Sequence, residues 1–191
     1  GVRNKIQETS ADGRIVYNDI FPHVKVKRGD GAANLWGIEG NDTNTYLATS
    51  PTGTATGFGA DLMLIDDLIK NEYEARNDNI KEQHWKWFTD TMLSRREGKR
   101  KVIVVMTRWA SDDLAGRLIE ALNRQGKKYR LICYKAFDGH SMLCEDILSR
   151  AQYEDILQGD TGKDIVEANY NQSPIDITGR LYSQLQTYDE L

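Results

Sequence analysis

The chain predicts an α/β fold, a doubly wound parallel sheet with flanking helices. Three observations predict it. Leu62-Met63-Leu64-Ile65 and Lys101-Val102-Ile103-Val104-Val105-Met106 are short apolar runs without alternation, the pattern of strands buried on both faces. Each is followed by a stretch with helical periodicity, as βαβ units require. With 191 residues, 39% hydrophobic and 28% charged, the chain is long enough to bury a core and too apolar for a disordered segment.

Residues 1–14 show no helix-capping start, and 14–21 reads as a short strand or loop that Pro22 keeps from continuing as a helix. Two strands are expected over 33–40 and 45–49, joined through Asn41-Asp42-Thr43-Asn44, which is turn chemistry, so a hairpin is predicted. Thr52-Gly53-Thr54-Ala55-Thr56-Gly57-Phe58-Gly59 is small and glycine-rich. It reads as a flexible loop, or as a nest of backbone N–H groups for an anion. Beyond the first apolar run, Ile80, His84, Trp87, Phe88, Thr91 and Met92 fall on one helical face, with Gly98 as the stop. Beyond the second, Ser111 is expected to cap a helix whose first turn holds Asp112 and Asp113 and whose buried stripe is Leu114, Leu118, Ala121 and Leu122. Residues 129–137 suit a third strand. Ser149-x-x-Gln152 and Thr161-x-x-Asp164 announce two closing helices.

Charge and cysteine usage narrow the partners. The net charge of −4 gives no overall basic field. Basic residues cluster locally at Lys25, Lys27 and Arg28, at Arg95, Arg96, Lys99, Arg100 and Lys101, and at Arg124, Lys127, Lys128 and Arg130; such clusters are solvated turns or contacts to a polyanion. No apolar run reaches membrane-spanning length and no signal-peptide pattern opens the chain. Cys133 and Cys144, the two cysteines, have no metal-ligand spacing, which fits a reducing interior.

The chemistry concentrates where the first apolar run meets Asp66-Asp67. Carboxylates leaving a buried strand stand at the carboxyl edge of the sheet, where open α/β folds bind ligands. This is the Walker B pattern: Asp66 would hold Mg²⁺, and Asp67 would orient or deprotonate the water that attacks a γ-phosphate. The plainer reading is an acid that caps the next helix.

The segment from Thr52 through Asp66-Asp67-Leu68-Ile69-Lys70 resembles the Walker B region of the large terminase subunit of tailed bacteriophages and prophages. Val105-Met106-Thr107-Arg108-Trp109 with Asp112-Asp113-Leu114-Ala115-Gly116-Arg117-Leu118 is similar to the next block of that family, and Tyr170-Asn171-Gln172-Ser173-Pro174 ahead of Gly179-Arg180-Leu181-Tyr182 to a later one. The resemblance covers the chain from about residue 35 onward. It implies a DNA-packaging motor: a RecA-like P-loop ATPase using ATP and Mg²⁺, followed by a metal nuclease. Asp66 is then the metal ligand, Asp67 and Thr107 the catalytic and coupling residues, and Arg108 a nucleotide contact. The same resemblance implies double-stranded DNA, a portal and a small terminase subunit as partners, ring self-association, and the cytoplasm of a bacterial host. Arg95, Arg96, Lys99, Arg100 and Lys101 are the candidate DNA contacts.

The sequence departs from the family in two places. No G-x-x-x-x-G-K-[ST] phosphate loop occurs; Gly159-Asp160-Thr161-Gly162-Lys163-Asp164 has the wrong glycine spacing and Asp where the hydroxyl belongs. Asp67 stands where many relatives have glutamate, a shorter arm for a general base. The expected organisation is therefore a partial ATPase domain over 1–175, without its Walker A segment, and the start of a linker over 176–191, a middle piece inactive by itself. Two alternatives stay open. One is a Mg²⁺-dependent nuclease or phosphohydrolase built on Asp61, Asp66, Asp67 and Asp112. The other is a non-catalytic nucleic-acid-binding module using the basic clusters with Trp85 and Trp87.

Overall fold

A computed structural model describes residues 1–9, 13–30, 32–53, 57–95, 101–159 and 163–175. The chain divides into two compact units, Gly1–Gly57 and Phe58–Leu191. The boundary falls in the glycine-rich stretch, and the expected linker over 176–191 lies outside the described residues.

In the first unit, α1 (Val2–Gln7) forms without a side-chain cap. The stretch expected to be strand or loop contains a short helix, α2 (Tyr17–Ile20). Its reason is local: the Asp19 carboxylate accepts the Val16 N–H at 2.8 Å, and the Tyr17 and Phe21 rings meet with centroids 4.9 Å apart. Pro22 ends it. The hairpin is present as β1 (Leu35–Trp36) and β2 (Tyr46–Leu47), antiparallel, with Leu35 opposite Leu47. Trp36 stacks on Tyr46 at 4.7 Å and forms, with Ile6 and Val26, the small core of this unit.

In the second unit, β3 (Leu62–Asp66) and β4 (Lys101–Val105) are parallel neighbours in register Leu62–Lys101 through Asp66–Val105. Between them run α3 (Glu72–Ala75), capped by Asn71, and α4 (Asp78–Lys86), capped by Asn77. The helix then widens into a π turn over Trp87–Met92 and tightens into a 3₁₀ turn over Leu93–Arg95. Thr89 gives a cause: its hydroxyl reaches back to the Trp85 carbonyl at 3.1 Å and the Lys86 carbonyl at 3.3 Å, a bond that competes with the helical ladder. The expected stop at Gly98 lies outside the described residues. After β4 comes α5 (Leu114–Arg124), then α6 (Arg150–Gln158) and α7 (Lys163–Asn169). α6 begins with the predicted Ser149/Gln152 capping box; the Thr161 cap expected for α7 lies outside the described residues.

One face of the β3–β4 pair is covered. Met63 and Ile65 are 4% and 3% exposed, and Ile65, Phe88 and Leu114 centre a cluster that also takes in Leu68, Trp85, Met92, Val102, Val104 and Leu118. Strand alternation sends the other set the opposite way: Leu62, Leu64, Ile103 and Val105 are 56%, 62%, 46% and 52% exposed. The third strand expected over 129–137 does not form. Leu131, Ile132 and Tyr134 are exposed, and the stretch is tied at its ends, by the Tyr129 hydroxyl to Asn123 Oδ1 at 3.1 Å and by Ala136 N–H to the Tyr170 carbonyl at 2.7 Å with a bridge between Phe137 and Met142. Its β-forming side chains have no neighbouring strand among the described residues, and a strand without a ladder leaves its backbone to water. The predicted doubly wound sheet is thus represented by two parallel strands with helices on one face.

Candidate functional site

The parallel register brings the ends of β3 and β4 to one edge. Asp66 is the last residue of β3, directly opposite Val105, and both Asp66 and Asp67 are exposed. Asp67 extends the ladder by donating its N–H to the Val105 carbonyl at 2.9 Å. It does so with φ of 40°, a left-handed backbone unusual for a residue other than glycine. Such a conformation costs about 1–3 kcal/mol and persists where the surroundings over-determine it. Here the turn brings the Asp67 carboxylate across to β4, where it accepts the Thr107 N–H at 3.4 Å. The Thr107 hydroxyl makes no hydrogen bond among the described residues, so it is not spent on the strand-end backbone.

Arg108 does not project from this edge. Its Nε donates to both carboxylate oxygens of Asp113 at 3.1 and 2.8 Å, and its Nη2 to the carbonyls of Ala110 and Ser111 at 3.2 and 3.3 Å. Asp113 is fully buried. Such a carboxylate is tolerable only with charge and donors around it, and besides Arg108 it accepts the N–H groups of Gly116 at 2.9 Å and Trp109 at 3.4 Å. Asp113, rather than Ser111, is therefore the N-cap of α5, and neither Asp112 nor Asp113 lies in its first turn. Arg108 selects it, because the guanidinium fork must meet a carboxylate. At Gly116 a Cβ would overlap the Ser111 carbonyl and crowd the Arg108 guanidinium, so glycine lets the helix close onto this loop. The side chain that the resemblance places on the nucleotide thus holds the loop together from within.

A second set of charges locks α5 to α4. Lys81, 8% exposed, pairs with Asp112 at 2.6 Å and Asp78 at 3.0 Å. Arg117 reaches Glu82 at 2.6 Å and donates to the Asp112 carbonyl at 2.9 Å. Burial alone would lower the Lys81 pKa; the hydrogen bonds to Asp112 and Asp78 outweigh it and raise the group above its usual value. His84 sits half-buried on α4 with its pKa lowered, chiefly by burial.

The carboxylates of the nuclease alternative are not brought together. Asp61 precedes β3 at the edge opposite Asp66, and a five-residue strand holds them apart by about 16 Å. Asp112 is engaged by Lys81 and Arg117. Among the described residues no three His, Cys, Asp or Glu side chains stand close enough to hold a metal between them. A Mg²⁺ ion that arrives with phosphates needs only one or two protein carboxylates, which Asp66 and Asp67 can supply. Trp85 and Trp87 are partly buried and pack against the covered cluster. Lys101 opens β4 at the edge away from Asp66, and Arg95 ends the 3₁₀ turn; Arg96, Lys99 and Arg100 lie outside the described residues, as do 54–56 of the glycine-rich loop.

Sequence reasoning missed one contributor. Gln172, just past α7, accepts the Arg108 N–H on its Oε1 at 3.1 Å and donates from Nε2 to the Asn169 carbonyl at 2.6 Å. The signal was its place in the Tyr170-to-Pro174 motif, which carried no assigned chemistry. No protein-family model, no curated protein and no solved structure matches this chain. No helix among the described residues is long and apolar enough to cross a membrane.

Proposed function

We propose that this chain is the Walker B-bearing part of a motor ATPase of the terminase large-subunit kind, coupling ATP hydrolysis to movement of double-stranded DNA. The observation that carries the reading is the edge itself: parallel strands that bring Asp66, Asp67 and Thr107 together, with Asp67 bonded to the backbone of Thr107. A RecA-like site needs an acid for Mg²⁺, a group for the attacking water and a hydroxyl-bearing sensor on the next strand, and these three residues have the right types in the right order. In this reading Asp66 binds the metal, Asp67 handles the water, and Thr107 reports loss of the γ-phosphate to the α5 side through the loop that Arg108 and Asp113 hold. Bound Mg²⁺ supplies charge compensation for the phosphates. The phosphate loop is absent from the 191 residues, so it comes from a further segment that also adds a strand to this sheet. The portal and small subunit, the ring and the bacterial cytoplasm belong to the same proposal.

The test uses the chain joined to a segment that supplies the phosphate loop. Asp66→Asn weakens Mg·ATP binding and turnover together. Asp67→Asn leaves binding in place and lowers phosphate release by about 10²-fold or more, the scale of lost general-base catalysis. Nucleotide titration beside phosphate release separates the two. Small and equal effects of both substitutions reject the assignment.

A further inference from the structure

Two described non-glycine residues have left-handed backbones, Asp67 with φ of 40° and Gln172 with φ of 54°. They are 105 positions apart (172 − 67), yet their side chains accept consecutive amides of one loop, Thr107 N–H on Asp67 and Arg108 N–H on Gln172. Just past a helix end, a left-handed position is ordinarily given to glycine, which adopts it without steric cost. A glutamine there is costly unless its side chain is needed. The side chain here has a defined task. Arg108 offers a donor and the Asn169 carbonyl an acceptor, so one orientation of the amide satisfies both, with Oε1 on the loop and Nε2 on the end of α7. The Trp109 N–H, next in line, is taken by Asp113.

We propose that Gln172 is the positioning residue of the candidate site: it clamps the loop after β4 to the end of α7 and so presents the Thr107 amide to Asp67. The meaning given to that amide rests on the Walker B reading; the clamp itself does not. Its consequence is a path by which displacement of α7 alters the site without touching it. Shifting the end of α7 releases Arg108, the loop loosens, and the long Asp67–Thr107 bond is lost first. Arg108 keeps its side chain on Asp113 throughout, so α5 stays docked.

Amide hydrogen exchange on the 191-residue chain, resolved by residue, tests the clamp with two variants. Gln172→Leu keeps the volume and removes both hydrogen bonds; exchange at Arg108 and Thr107 rises by about 3- to 10-fold, the range a single lost hydrogen bond produces, while Ala121 in α5 is unchanged. Gln172→Glu keeps an acceptor for Arg108 but sets a second oxygen against the Asn169 carbonyl, so the tie to α7 is cut and Thr107 loses protection while Arg108 is affected less. A residue that only fills space tolerates Leu, and unchanged protection in that variant overturns the proposal. So does a change at Arg108 that leaves Thr107 untouched. If Leu loosens the whole unit, the Glu variant decides alone: protection lost at Thr107 with Ala121 unchanged supports the clamp, and protection retained there overturns it. The Asp66→Asn and Asp67→Asn comparison in the chain joined to a phosphate-loop segment bears on the Walker B reading, whereas the exchange data bear on the clamp, which keeps the two levels apart.

Discussion

The two faces of the β3–β4 sheet are built from the same kind of residue and meet different surroundings. Ile65, Val102 and Val104 pack with side chains of α4, the π turn and α5, and Met63 is buried on the same side, while Leu62, Leu64, Ile103 and Val105 stand open. A sheet meant to face water on one side alternates apolar with polar; these strands do not. The difference separates the face that the described residues cover from the face that they leave open. The covered face carries the packing and the Lys81–Asp112–Arg117–Glu82 lock. The open face and the strandless stretch 129–135 carry apolar surface that no described residue covers.

The sharpest way to break this contrast is to truncate one residue on each face. Phe88→Ala, in a side chain 1% exposed, removes the centre of the covered cluster and costs about 3–5 kcal/mol. Leu64→Ala on the open face changes stability by no more than about 0.5 kcal/mol. Urea unfolding of both variants measures the gap, and equal losses would mean that the open face is covered in solution. A smaller effect is expected at the lock. Lys81→Met leaves Asp112 with Arg117 alone and costs about 1–3 kcal/mol near neutral pH. Its pH dependence has a definite sign. The Lys81 pKa is higher folded than its usual 10.5, so its contribution is complete below that value and disappears as pH rises through the raised one. The gap in unfolding midpoint between the Met variant and the unsubstituted chain is therefore full at about pH 9 and narrows as the pH is raised above 10.5. A difference that persists at the higher pH would assign the loss to packing of the lysine stem.

Local chemistry was the legible part of this structure. The apolar runs of β3 and β4, their acids, the Leu114/Ala121 stripe and the Ser149 box are short-range patterns, and each appears where the residues predict it. What depended on partners was not legible. Residues 129–137 have strand composition and no strand to pair with. Ser111 looked like the cap because it precedes the apolar stripe, but the guanidinium of Arg108 selected Asp113. The helix at Tyr17–Ile20 hinged on one aspartate three residues beyond Val16. Gln172 was hidden for a related reason: a left-handed backbone at a residue other than glycine leaves no mark in the sequence, and its role appears only when α7 and the β4 loop are side by side.

The central claim is that the chain holds the metal-and-water edge of a nucleotide site without the phosphate cradle and, among the described residues, without the cover of one sheet face. Calorimetric titration with Mg·ATP, run beside light scattering on the same sample, tests it most directly. Amides and a lysine supply most of the charge compensation for a triphosphate, so the account predicts binding no tighter than about millimolar, about −4 kcal/mol, together with self-association through the open apolar face. Micromolar Mg·ATP binding by a monodisperse monomer would contradict it.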